Sequence, residues 1–402
     1  MRYTINSGTN DWSECAKTLA GSFGLLPIVD GPEIEAYETA FAQACGVRHA
    51  FSLAAGRMAL YRILEALEIG PGDEVILPAF TCVVVPNAII YRGATPVYVD
   101  IDARTFNINA RLIEAKLTPR TKAIIAQHTF GLLCDIEAIS AIAKPRGIAV
   151  IEDAAHALGA ERGGRKAGGL ADAAYFSTDH SKVISTSTGG MITTNNMTLA
   201  ERLQSLQEKT PFLPEARIRA ILRTFAIEWL LEDPRFYMLG RWGLRVLGRL
   251  RLRSYFSDEL SLERPASTPY PARLSCAQAR IGLSQLRRLP ENLAWRRHCA
   301  ALYRAARGEA PFTPAGEHVF LRYTFLVPDR ATEIERYRDV LDMGVWFTSV
   351  AHGRDQDLAK IGYAAGSCPV AEDAARRCVN LPTHLRISRP ELLAERLQGA
   401  FP

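Results

Sequence analysis

The sequence predicts an α/β protein with a mostly parallel central sheet, helices on both of its faces and a smaller C-terminal α/β domain. Three observations predict it. From Phe51 to Asn196 short apolar runs alternate with helix-like stretches. An Arg-rich segment then breaks the alternation, and after Ser275 it resumes with longer helices. In order, Arg57–Glu68 has helical apolar spacing, and IGPGDE turns the chain into the apolar run Val75–Pro78. A helix over Val83–Tyr91, a strand over Pro96–Asp100 (PVYVD) and a helix over Ala110–Leu117 follow. Ala123–Ala126 is a strand, Asp135–Lys144 a helix and Ile148–Ile151 a strand, with further strands at Ala173–Ser177 and Gly190–Thr194. Strands this short and apolar are those of a sheet covered on both sides. Beyond Ser275 the pattern predicts helices at Ala277–Leu286, Asn292–Arg307, Thr332–Leu341 and Pro390–Leu397, and an alternating strand at Val319–Val327. Three segments result: residues 1–210 with the large domain, an Arg-rich helical insertion at 211–265, and the smaller domain at 266–402.

Composition narrows the function. The chain has 402 residues, 48% apolar and 23% charged, the balance of a soluble globular protein. Its longest uncharged stretch, Val75–Tyr91, contains Pro78 and Pro86 and is too broken to span a bilayer. No apolar run follows Arg2, so a cytoplasmic protein is expected. Eight scattered cysteines without a CxxC pair, and eight dispersed histidines without HExxH, predict buried thiols and no metal site. Between Arg217 and Arg253 nine Arg face only Glu228, Glu232 and Asp233, a local balance of +6. The whole chain is +5, so the remainder sums to about −1, which disfavours a general nucleic-acid surface.

The sequence has no GxGxxG, no Walker loop and no GxSxG, so the usual signals of NAD enzymes, P-loop NTPases and serine hydrolases are missing. Candidate chemistry lies at the carboxyl ends of expected strands, where open α/β sheets bind ligands. In IEDAAHALGA (151–160), Glu152 and Asp153 end a strand and His156 follows. Taken alone, Asp153 reads as a helix N-cap, and His156 reads equally as a histidine on a helix face. In YFSTDHSKVISTSTGGMITT (175–194), Lys182 lies among small and hydroxyl-bearing residues. Alone it reads as a loop lysine, and Ser177 and the hydroxyls at 185–188 as turn residues. Yet only eight of the 48 basic residues are Lys, so a lysine kept here points to an amine that can deprotonate, which Arg cannot supply. In SLAAGRMAL (52–60), Gly56 opens a helix whose N–H groups could hold a phosphate, although glycine is also a common helix boundary. Together the three segments fit pyridoxal 5'-phosphate. That cofactor needs a lysine, an acid on its pyridine nitrogen, and a helix N-terminus with hydroxyls for its phosphate.

The stretches GVRHAFSLAAGRMAL, LEIGPGDEVILPAFT, NAIIYRGATPVYVDID, LTPRTKAIIAQHTFG, IEDAAHALGA and GGRKAGGLADAAYFS carry a resemblance. The chain resembles the DegT/StrS family of pyridoxal-phosphate-dependent sugar aminotransferases over about three quarters of its length, outside 210–265. The resemblance implies fold type I, a homodimer whose subunits share each active site, and transamination from glutamate to a nucleotide-linked keto-sugar. It makes Lys182 the aldimine lysine, places Ser177, Gly56 and Arg57 at the phosphate, pairs Asp153 with the pyridine nitrogen, and sets His156 near the phenolic oxygen. RLSCAQARIGLSQL aligns Arg273 and Gln278 with a family helix, Arg273 being a candidate substrate contact. The family's dehydratase branch has histidine in place of the lysine, and Lys182 argues against it.

Departures from the family pattern bear on the substrate. Cys82, with Phe80 two positions earlier as a candidate substrate contact, stands where the family has an aromatic residue on the cofactor ring. Ser187–Thr188 replaces a Gly-Glu pair, Pro271 replaces an Asn offered to the partner's phosphate, and Phe347–Thr348–Ser349 occupies a His-rich loop. A rival expectation is a catalytically reduced protein working as a membrane-associated partner, or an aminotransferase for a lipid-linked ketone. It rests on 217–253, where Arg241, Arg245 and Arg249 share one helical face, Trp242, Val246, Leu247 and Leu250 lie on others, and Trp229, Phe236 and Tyr237 are further interface candidates.

Overall fold

The computed structural model describes residues 2–5, 8–249, 264–265, 269–309 and 318–398. Seven strands form the central sheet: β1 (His49–Leu53), β2 (Glu74–Pro78), β3 (Thr95–Val99), β4 (Thr121–Gln127), β5 (Ala149–Asp153), β6 (Ala173–Ser177) and β7 (Gly190–Thr194). Their order is β1–β7–β6–β5–β4–β2–β3. Strands β2 to β6 run parallel, whereas β7 is antiparallel to both of its neighbours, β6 and β1. Every residue of β2 and of β7 is buried, as expected for a sheet covered on both faces.

Helix Gly56–Ala66 is buried nearly all round because it packs on β6 and β7 beneath the helices Val84–Tyr91 and Met197–Glu208. On the other face, helix Glu33–Cys45 packs against Cys276–Arg287 and ends at Gly46, whose φ of 67° is the left-handed closure glycine allows. Ser275 and Gln278 form a capping box at the start of Cys276–Arg287, a device worth about 1 kcal/mol.

The C-terminal unit is smaller. Strands Arg322–Leu326 and Cys378–Pro382 pair antiparallel, and helices Leu289–Ala306 and Pro390–Gln398 cover them. Its apolar cluster contains Tyr303, Tyr323, Tyr337, Leu381 and Leu393, and it also takes Tyr3 from the N-terminus. Residues Tyr3–Thr4 pair with Leu341–Asp342, so the first residues of the chain belong spatially with the last third.

Several expectations need correction. Ala110–Leu117 forms two short 3₁₀ turns, Ala110–Leu112 and Glu114–Lys116, because only Ile113 is buried and no apolar face exists to hold a full helix. The strand expected over Val319–Val327 is limited to Arg322–Leu326, and the helix over Thr332–Leu341 to Arg330–Arg336. The insertion contains two helices, Glu215–Leu231 and Tyr237–Arg249; the former packs on Trp12–Ser22. Trp242 shares the exposed face with Arg241 and Arg245, because the opposite face is turned onto the preceding helix. Leu250, Arg251 and Arg253 lie outside the described residues.

Candidate active site

Asp153 is the last residue of β5 and Ser177 the last of β6, so both stand at the carboxyl edge of the sheet. Side chains alternate along a strand, and the two acids that end β5 take opposite roles. The oxygens of Glu152 are fully engaged in structure. Its Oε1 accepts from the backbone N–H of Leu170 at 2.7 Å and of Ala171 at 3.0 Å. Its Oε2 accepts from Gly168 N–H at 2.9 Å and from His128 Nε2 at 3.1 Å. Cys134 N–H donates to His128 Nδ1 at 3.1 Å, which leaves the ring proton on Nε2, facing Glu152. Asp153 instead faces a cavity, with Oδ1 accepting from Ala155 N–H at 3.1 Å. Burial pushes its carboxyl up from the ordinary value.

The cavity brings together Gly56, Arg57, Cys82, Asp153, His156, Ser177 and Lys182, seven of the residues singled out in the sequence. Lys182 lies in the loop after β6, its N–H donating to Asp179 O at 3.0 Å. Small hydroxyl residues hold that loop. Thr178 and Thr186 share a hydroxyl hydrogen bond of 2.7 Å, and Gln278 donates to Thr188 O at 2.5 Å. Gln278 therefore acts as a strut beneath the lysine loop. Burial lowers the pKa of the Lys182 amine, against the opposing pull of Asp179, Cys82 and Asp153.

Helix Gly56–Ala66 starts at the cavity wall, and its N-cap residue Ala55 has no side-chain acceptor to offer. A Cβ on Gly56 would lie 2.9 Å from Ser177 Cβ, and one on Gly190 would lie 2.5 Å from Ala55 C and O. Only glycine permits this approach of helix start to strand end, which sets backbone N–H groups beside the Ser177 hydroxyl.

His156 is buried and accepts from Phe130 N–H at Nδ1, 3.2 Å away, so its proton sits on Nε2. Burial, reinforced by Lys182 and Arg322, keeps its pKa well below the ordinary value. Its ring stacks near Phe130 and Trp346, at centroid distances of 5.9 and 5.6 Å.

Two candidates lie elsewhere. Phe80 is fully buried and packs on Phe106 and Phe347 at 5.5 and 4.9 Å; it does not line the cavity itself but touches Phe347 and Gln127, which do. Arg273 bridges the backbones of Leu53 and Phe212, with its guanidinium 4.5 Å from the Phe212 ring, and is not among the lining residues.

The cavity also contains residues that sequence reasoning missed: Gln127, Tyr175, Asp179, His180, Trp346 and His352. Asp179 and His180 were legible as a charged pair just before Lys182. Burial opposes both charges, but each ring or carboxyl is held by the other, with His180 raised to about 9 and Asp179 lowered to about 2. Trp346 and His352 come from the C-terminal unit, where nothing in the local sequence announces them. Residues Ala351–His352 pair in parallel with Thr81–Cys82, which carries His352 to the cavity. Burial drops the His352 imidazole to about 4.

A model of the DegT/DnrJ/EryC1/StrS aminotransferase family matches residues 16–217 and 236–394. GDP-perosamine synthase of Caulobacter vibrioides is 34% identical over 371 residues, 90% of this chain and 88% of that protein. UDP-N-acetyl-3-dehydro-α-D-glucosamine 3-aminotransferase of Acidithiobacillus ferrooxidans is 32% identical over 374 residues, 91% of this chain and 86% of that one. Among solved structures, the aminotransferase TlmJ from Streptoalloteichus hindustanus is similar at TM-score 0.73 and 27% identity, covering 97% of this chain and 95% of that one. DesV of S. venezuelae, solved in complex with a ketimine intermediate, is similar at TM-score 0.73 and 26% identity, covering 96% and 94%.

Proposed function

The chain belongs to the DegT/DnrJ/EryC1/StrS aminotransferase family, and from that premise we propose that it moves an amino group from an amino acid, glutamate first, to the keto group of a nucleotide-linked sugar. Pyridoxal 5'-phosphate would be the cofactor, and the setting cell-surface glycan or secondary-metabolite biosynthesis. The names of the relatives from Caulobacter vibrioides and Acidithiobacillus ferrooxidans support the nucleotide-sugar reading. The observation that carries it is the meeting of Lys182, Asp153 and the Gly56 helix start in one cavity.

The residues present fit the cofactor. A lysine whose amine pKa is lowered by burial, a buried acid beyond it, and a glycine-only helix start beside a serine are the donor set it requires. When bound, it supplies a sink for the electron pair left as a Cα–H bond breaks. Asp153 would hold a proton at the ring nitrogen. Ser177 Oγ and the first N–H groups of helix Gly56–Ala66 would take the phosphate. His156 would offer its Nε2–H to the phenolic oxygen. Lys182 Nζ would bond the cofactor covalently, leave when the donor amine arrives, and carry the donor's α-proton. Leu60, Val84, Val85, Trp346 and Phe347 give the cavity apolar walls that limit water. We read the assembly as a homodimer in which Arg273 serves the neighbouring site.

The test is release of 2-oxoglutarate from glutamate by the purified protein with a panel of GDP-, UDP- and TDP-linked keto-sugars. Release dependent on one member supports the reading. Turnover with none of them, while lipid-linked or free ketones are aminated, overturns the nucleotide-sugar acceptor.

A further inference from the structure

Among the described residues no helix is long and apolar enough to cross a membrane, yet one helix presents a face unlike a solvated surface. On Tyr237–Arg249, Met238 is 72% exposed, Leu239 64% and Trp242 61%, and Arg241, Arg245 and Arg249 are exposed with them. Positions 238, 241, 242, 245 and 249 are linked by steps of three and four residues, so this is a single stripe, and Leu239, three residues before Trp242, flanks it. Its orientation is set from behind. A Cβ on Gly240 would run into the backbone of Leu231, and Leu244 is buried on the same side. The helix cannot roll its apolar side chains inward without breaking that crossing. Leu230, 60% exposed, lies in the last turn of the preceding helix.

The acids of this segment are used elsewhere. Asp233 pairs with Arg235 at 2.7 Å and with Arg386 at 3.7 Å. Glu228 is buried, and it acts with Glu232 on His180 at the cavity. Structure thus sorts a mixed sequence into an inward acidic side and an outward stripe of arginine, tryptophan, methionine and leucine. We infer that this stripe is a peripheral docking surface for an anionic lipid bilayer. Arginines meet lipid phosphates, and Trp242, Met238 and Leu239 enter the headgroup layer. A polar partner such as nucleic acid would leave those three side chains without an apolar environment. A two-fold contact between copies through this stripe would bring two sets of three arginines together.

The experiment is co-flotation of the full-length protein with vesicles of phosphatidylcholine alone or mixed with phosphatidylglycerol, at low and high salt. Binding is expected to the mixed vesicles at low salt and to be lost at high salt. The triple variant Arg241→Gln/Arg245→Gln/Arg249→Gln should lower the partition coefficient by about two orders of magnitude. Trp242→Ser should lower it as well. Retained aminotransferase turnover and far-ultraviolet circular dichroism would show that these exposed changes leave the fold intact. Three results overturn the inference: wild-type protein that ignores mixed vesicles at low salt, a triple variant that binds like wild type, or a triple variant whose main change by light scattering is its oligomeric state.

Discussion

Lys182 Nζ lies 4.7 Å from the centroid of the Trp346 indole. The two residues belong to different halves of the chain, and the contact joins the lysine loop to the C-terminal unit. Trp346 is held by its backbone: its N–H donates to Asn380 Oδ1 at 2.7 Å. The same ring receives Arg322, whose guanidinium carbon lies 3.6 Å from the centroid. A π-face attracts a cation, so on its own Trp346 would favour the charged amine. Burial is what chiefly lowers the lysine pKa, and Arg322, which occupies the ring, adds a smaller repulsion. The balance leaves the amine pKa below its ordinary value.

Borohydride treatment of the protein loaded with pyridoxal phosphate is expected to fix the cofactor covalently on Lys182, read by peptide mapping. Lys182→Ala should show no fixed label and should lose turnover by about three orders of magnitude or more. A label on another lysine would remove Lys182 from its role.

Asp153→Ala should keep measurable cofactor binding and lower kcat by about two to four orders of magnitude, because the ring nitrogen loses its proton partner. Asp153→Asn should do the same with less effect on stability. Stopped-flow absorbance with deuterated glutamate would show whether the slowed step is proton abstraction. Wild-type rates in either variant would assign the ring nitrogen to another group.

The Asp179–His180 pair makes stability depend on pH. His180 stays protonated to about 9 in the fold, against roughly 6.5 in an unfolded chain. Its contribution is therefore complete below roughly pH 6.5 and lost as pH rises through about 9. Asp179 is held at about 2, so its contribution is present above roughly pH 3.9 and lost only as pH falls through about 2. Apoprotein melting temperature should fall across the alkaline window, and Asp179→Asn should flatten that slope. Both groups are partly exposed, so the effect is a slope and not a collapse.

Gly190→Ala is expected to cost about 1–3 kcal/mol by urea denaturation, because its Cβ would press on the Ala55 backbone at 2.5 Å. Gly56→Ala meets Ser177 Cβ at 2.9 Å and Phe176 O at 3.1 Å, and should weaken cofactor retention on dialysis. Equal retention in Gly56→Ala and wild type would place the phosphate elsewhere.

If neighbouring subunits share sites, mixing inactive Lys182→Ala with inactive Arg273→Ala under subunit exchange should restore part of the activity. Light scattering should give a dimer for each. A fully active monomer, or no complementation by exchanged subunits, would confine the site to one chain.

The α/β alternation, the positions of Asp153, Ser177 and Lys182, and the glycine that opens the helix at the cavity wall were legible because each depends on neighbours within a few residues. Strand ends, helix starts and a rare lysine in a hydroxyl-rich loop are local features. The expected helix at Ala110–Leu117 failed for the complementary reason: its spacing was helical, but only Ile113 found a core to enter.

What the sequence alone determined is therefore the kind of chemistry: an amine, an acid and a helix start at the carboxyl edge of a parallel sheet. The tertiary structure decided which groups complete and tune it. It divided Glu152 from Asp153 by strand alternation, giving one to the loop at 168–171 and the other to the cavity. It buried Phe80 and brought Trp346 and His352 from the far end of the chain. It also buried Glu228 and tied Asp233 to Arg386, while leaving Arg241, Arg245 and Arg249 exposed. These choices depend on contacts between residues far apart in the chain, and on burial, which shifts each charge by an amount no local pattern contains.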